Sequence, residues 1–118
     1  FLVCTLTLPV LRNTKRLLNM LSYLHYPTDN ISIIVNRYEK RTEVSLKDME
    51  DVLGRKGSWM MPNDYFTTMN AINKGQPLST VAGRSDITKT FEKLALALTV
   101  DEQQKHKASL LSRLFKSN

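Results

Sequence analysis

What most constrains the fold of this 118-residue chain is an alternation: short apolar runs, each followed by a longer stretch with apolar positions at helical spacing. Phe1 to Leu6 (FLVCTL) carries no regular polar alternation, which predicts a strand covered on both faces. Val10, Leu11, Leu17, Leu18, Leu21 and Leu24 then fall on one side of a helix opened by Pro9 and ending near His25. Pro27 to Asn30 is a turn by composition, and the β-branched density of Ile31 to Val35 predicts a second buried strand. Arg37 to Glu43 is charged and predicts a solvated loop. Ser45 with Asp48 forms a capping box for a helix to Leu53, stopped by Gly54. Ser58 to Met61 supplies a third strand ended by Pro62, and Tyr65 to Lys74 a helix ended by Gly75. Ser85 caps a last helix to about Leu98, with Ile87, Phe91, Leu94, Ala95 and Leu98 on one face. Three strand–helix alternations build parallel sheets with helices on their faces. The expected class is α/β, a partial three-layer α/β/α arrangement of about three parallel strands with flanking helices.

Composition removes several alternatives. No apolar run approaches the roughly 18 residues that span a bilayer, and Phe1 to Val10 lacks the basic start and small-residue cleavage site of a signal peptide. The single cysteine, Cys4, cannot form an internal disulfide and favours a cytoplasmic setting. It lies mid-strand with no neighbouring base, as a buried structural thiol does. His25 and His106 lack companions at metal-ligand spacing, so no metal site and no catalytic residue is expected. Lys and Arg number 17 against 11 acids, a net charge of +6, which attracts nucleic acid, anionic lipid or phosphorylated ligands without selecting among them. Arg12, Lys15 and Arg16 are expected on the solvated face of the first helix. Because the chain opens inside an apolar run, it is expected to be cut from something longer. Its first strand, deprived of a neighbour, is then expected to self-associate or to be covered by the basic tail.

In open parallel sheets, ligands sit beyond the carboxyl ends of the strands. That rule selects Thr5 to Pro9 after the first strand, Asn36-Arg37-Tyr38 after the second, and Pro62-Asn63-Asp64-Tyr65 after the third. An Asn amide offers both a donor and an acceptor to a purine edge, and an Arg plane stacks on a base. The same residue types also form turns and helix caps, which is the structural alternative.

Four segments carry a resemblance: Thr5 to Leu18 (TLTLPVLRNTKRLL), Ile33 to Tyr38 (IIVNRY), Met61 to Tyr65 (MPNDY) and Ala71 to Leu78 (AINKGQPL). In order and spacing they resemble the C-terminal half of MinD/ParA-type P-loop ATPases. The likeness is greatest to the CpaE/TadZ branch associated with Flp-type (Tad) pilus assembly, and it covers nearly all of residues 1 to 98. The resemblance implies a P-loop NTPase-like fold, in which Asn36 and Arg37 recognise adenine and Pro62, Asn63 and Asp64 line the other side of the base. It also implies ATP and magnesium in an intact parent. No glycine here begins the G-x-x-x-x-G-K-[ST] phosphate loop. No bound nucleotide and no ATP hydrolysis are therefore expected of the fragment alone.

The sequence divides into a domain half at 1–100 and a basic tail at 101–118. In the tail, Leu110, Leu111, Leu114 and Phe115 accompany Arg113 and Lys116, a pattern of interfacial helices. It resembles the membrane-targeting helix of MinD-like proteins, which implies peripheral contact at the inner face of the membrane. A final helix packed on its own sheet is the other reading. The implied partners are pilus-assembly or secretion proteins and a second copy in a homodimer, with nucleic acid disfavoured. Two further functions compete: a non-catalytic α/β interaction module, and a DNA-binding accessory protein of the ParA type.

Overall fold

The strand-forming runs pair side by side. The computed structural model describes the backbone of residues 1–115 and the side chains of residues 1–100. In it β1 (Leu2–Cys4), β2 (Ile33–Tyr38) and β3 (Gly57–Pro62) form one parallel sheet in the order β1-β2-β3. Register sets what each face carries. Leu2 pairs with Ile33 and Cys4 with Val35, so these four residues share a face, while Val3 and Ile34 share the other.

Helices α1 (Leu8–Tyr23) and α2 (Leu46–Leu53) cover the first face. Leu11 and Leu18 of α1 and Met49 and Leu53 of α2 form the core with Cys4, Ile33 and Val35. Leu11, Ile33, Val35 and Met49 have no solvent exposure. Pro9 occupies the first turn of α1, where its missing N–H costs nothing. The helix ends at Tyr23, two residues before His25, which turns left-handed at φ +58°. Lys15 is not merely solvated: its Nζ donates to the Leu53 carbonyl at the end of α2, 3.3 Å away, where unpaired carbonyls attract a cation. The capping box of α2 forms as the sequence implies, with Asp48 N–H donating to Ser45 Oγ at 3.1 Å and Ser45 N–H to Asp48 at 2.8 Å. Gly54 ends the helix at φ +71°, a conformation that needs no Cβ.

Beyond β3 come α3 (Tyr65–Lys74), α4 (Leu78–Ala82) and α5 (Asp86–Phe115), with α5 lying against β3 as the opposite layer. The result is the three-layer α/β/α arrangement expected. Four local expectations are corrected. β1 is three residues long and is not covered on both faces, because α5 reaches β3 and leaves Val3 57% exposed. β2 starts at Ile33 and runs to Tyr38, so Asn36 and Arg37 lie within the strand rather than after it. α4 was not foreseen, since five residues are too few to show a period. α5 does not stop near Leu98, and continues to Phe115 through position 100; of its expected buried face Ile87 is buried, Leu94 half-buried, and Phe91 and Leu98 exposed. β1 has β2 as its one paired neighbour among the described residues, which makes it an edge strand.

Candidate functional site

The carboxyl ends of β2 and β3 converge through an irregularity in their pairing. Val35 pairs with Met60 and Tyr38 with Pro62, so three steps along β2 match two along β3. The extra residue is a bulge, and Arg37 absorbs it at φ +53°. In a regular strand, neighbouring side chains point to opposite faces. The bulge cancels that rule locally, and both Asn36 and Arg37 border the same cavity. Asn36 Oδ1 accepts the Arg37 backbone N–H at 3.0 Å, which holds the left-handed turn.

β3 meets this rim from the other side. Asn63 N–H donates to the Tyr38 carbonyl at 3.0 Å, continuing the ladder one step past Pro62. Asp64 then caps α3, its carboxylate accepting the Thr67 N–H at 3.1 Å. The Asn63 side-chain amide donates from Nδ2 to the Glu39 carboxylate. Pro62, Asn63 and Asp64 therefore leave the strand in one fixed trajectory.

Between these strand ends lies an open cavity of about 320 Å³, at the small end of ligand pockets. Asn36, Arg37, Pro62, Asn63 and Asp64 line it together, with Tyr65 and Thr68 from α3. Met69, Ile87 and Phe91 supply an apolar wall. The third segment expected here, Thr5 to Pro9, does not line it. β1 stands on the far side of β2 from β3, and Thr7 N–H donates to the Thr5 carbonyl at 2.9 Å as the chain turns directly into α1. The sequence reading missed Thr68, Met69, Ile87, Phe91 and Glu39 as residues of this site. Phe91 did carry a signal as a large apolar residue on an amphipathic helix, whereas Glu39 belongs to a charged run that reads as solvated loop.

The free hydrogen-bonding capacity follows by subtraction. Asn36 accepts one bond at its oxygen and keeps both amide N–H donors, while Asn63 gives one N–H to Glu39 and keeps its acceptor oxygen together with its second N–H. Asp64 is committed to its helix. A donor and an acceptor flanked by proline and apolar side chains suit a flat heteroaromatic ring bearing both polarities.

Elsewhere the chemistry is sparse. Among the described residues no group of three His, Cys, Asp or Glu side chains could hold a metal, and no helix is long and apolar enough to cross a membrane. Cys4 is buried and free, and burial pushes its thiol above the ordinary range, away from the nucleophilic thiolate. Side chains of the tail residues Leu110, Leu111, Arg113, Leu114 and Phe115, and all of Lys116, lie outside the described residues.

No family model matches the sequence, nor does any curated protein. Solved structures do. A ParA family ATPase from Chlorobium tepidum TLS is 31% identical over 80% of this chain with a TM-score of 0.73. A chain of the MinC:MinD cell division protein complex of Aquifex aeolicus is 20% identical over 82% of this chain with a TM-score of 0.70. This chain spans 38% of the first and 40% of the second.

Proposed function

We propose, from the MinD/ParA-type fold shared with these proteins, that the chain is the C-terminal portion of an ATPase of this kind and supplies the adenine-side rim of its nucleotide site. The bulge at Asn36 and Arg37, which brings both side chains to one cavity with Pro62, Asn63 and Asp64, carries this reading. The donor left on Asn36 and the acceptor left on Asn63 fit a ring that carries both groups, as adenine does. ATP, when bound, brings a cleavable phosphoanhydride that such proteins use as a switch. These residues bind and orient its base, and Met69, Ile87 and Phe91 exclude water from one side of the ring. Phosphate and magnesium contacts belong to residues outside these 118, since none of the four glycines opens a phosphate loop. Most nucleotide affinity arises from phosphates meeting such a loop, so this chain binds the base weakly.

The test is a titration of the ¹⁵N-labelled chain with adenosine and ATP to millimolar concentration. Shifts of the Asn36 and Asn63 side-chain amides in the unaltered chain, with the Asn63 shift weakened in Asn36→Ala, support the reading. An unperturbed spectrum at those positions rejects it.

Within that reading the parent is a CpaE/TadZ-like protein of Flp pilus assembly, cytoplasmic and working through protein partners, a second copy and peripheral membrane contact. The TLTLP, VNR, PND and AINKGQPL segments support the branch. The MinC:MinD complex gives a precedent for protein partners. Deleting the coding region in a piliated host abolishes Flp pili under this reading, and unchanged piliation removes it. The Leu110 to Lys116 stripe supports the membrane contact. It predicts that truncation after Thr99 abolishes co-sedimentation with anionic liposomes; a truncated chain that sediments equally ends the idea.

A further inference from the structure

The Asn63 amide can present either of its two faces to the cavity, and which one it presents determines the ligand. An amide end is nearly symmetric in shape but opposite in hydrogen-bonding sense, so something must choose its orientation. The structure contains one group that does. Glu39, immediately after β2, receives the Asn63 Nδ2 donor across the gap between the β2 and β3 exits. A carboxylate only accepts, so it holds the nitrogen and cannot hold the oxygen. Glu39 does not line the cavity, whereas Asn63 does. With its nitrogen turned toward Glu39, Asn63 offers Oδ1 as the acceptor left for a ligand.

We infer that Glu39 is a specificity-determining positioning residue, which orients the Asn63 amide so that the cavity accepts a purine bearing an amino group at position 6 and disfavours one bearing a carbonyl there. The inference rests on the base-binding reading above. Adenine carries a donor at that position, and guanine and hypoxanthine carry an acceptor. An acceptor facing an acceptor forfeits that hydrogen bond, and because Asn63 is exposed and water reaches it, the difference between the two ligands is that of one net hydrogen bond. Glu39 itself touches no ligand. It acts through Asn63, and a purely structural role would change stability without changing the ratio between two nucleosides.

The experiment compares adenosine with inosine, which differ at the position 6 edge, by chemical-shift titration of the full chain. The unaltered chain is expected to prefer adenosine by about fivefold, the scale of one net hydrogen bond in an open site. Glu39→Gln lets Asn63 take either orientation, because a glutamine amide both donates and accepts, and the preference is expected to fall to about twofold or less. Glu39→Lys donates to Asn63, turns its nitrogen toward the cavity and is expected to invert the preference toward inosine. Glu39 is exposed, so these variants should keep the fold, and backbone resonances away from the cavity verify it. In the nucleoside-free protein, Glu39→Gln also moves the Asn63 side-chain resonances. The inference is overturned if both variants keep the original ratio, or if the unaltered chain binds both nucleosides equally. If neither nucleoside moves any cavity resonance, the base-site reading fails first and this inference falls with it.

Discussion

Replacing Arg37 by glycine and, separately, by valine measures the backbone strain at the bulge. Both substitutions delete the same guanidinium, and Arg37 is exposed, so little packing is lost with either. What differs is tolerance of φ +53°. A left-handed backbone costs an L-residue roughly 1–2 kcal/mol, is worst for β-branched side chains, and costs glycine almost nothing. In a regular strand the order reverses, with valine favoured over glycine by about 1 kcal/mol. Arg37 lies inside β2, yet its dihedral predicts that Arg37→Gly is more stable than Arg37→Val by about 1–2 kcal/mol. Urea unfolding followed by Trp59 fluorescence resolves this, since a slope of about 1–3 kcal/mol/M separates the midpoints by roughly 0.3 to 2 M. The valine variant also relaxes the bulge and shifts the Asn36 side-chain resonances, while the glycine variant retains them. A valine variant as stable as the glycine variant would refute the argument that a left-handed bulge builds the rim.

Other perturbations read different links. Met49→Ala empties a fully buried site between α2 and the sheet and is expected to cost about 2–5 kcal/mol by urea unfolding; Phe66→Ala, at a side chain 85% exposed, should change stability by no more than about 0.5 kcal/mol. Equal losses at the two positions would contradict the assigned core. Ser45→Ala removes the α2 cap and is expected to cost about 1 kcal/mol. Hydrogen bonds from the Ser45 hydroxyl and then from its backbone N–H hold the Asp48 carboxyl below its ordinary range. A depressed folded-state pKa gives stability that is present above the unfolded value and lost as pH falls through the folded one, so Ser45→Ala should flatten the acid limb of the stability curve. An unchanged acid limb would remove Asp48 from that role. Burial raises the Cys4 thiol, which gives stability present below the ordinary thiol range and lost as pH rises through the folded value. Ellman's reagent should therefore label the native chain slowly and the urea-unfolded chain at once; rapid native labelling would place Cys4 at the surface.

Local chemistry was legible wherever one short segment determined the outcome. Ser45 and Asp48 specify a capping box within four residues, Gly54 and Gly75 supply the left-handed stops, and Pro9 opens its helix, because each depends on dihedrals and hydrogen bonds inside a single turn. The alternation of apolar runs with helical periods was likewise enough for a parallel α/β sheet with helices on both faces. Long-range geometry was not legible. Val3 is apolar yet exposed because nothing in its own neighbourhood tells that α5 stops short of β1. The cavity is the clearest case. Asn36 and Asn63 were identifiable as candidates at strand ends, but their juxtaposition depends on a register slip between β2 and β3, which exists only once partners 24 or 25 positions apart have paired. Phe91 joined the same cavity from a helix further along the chain, and Glu39 acquired a task only when Asn63 arrived beside it. By itself, then, the sequence determined most of the elements and their caps, which local dihedral preferences and periodicity encode, but not α4, the bounds of β2 or the far end of α5. The tertiary structure alone decided the shared rim, because a bulge, a cavity wall and an oriented amide are properties of pairs of segments and of neither one separately.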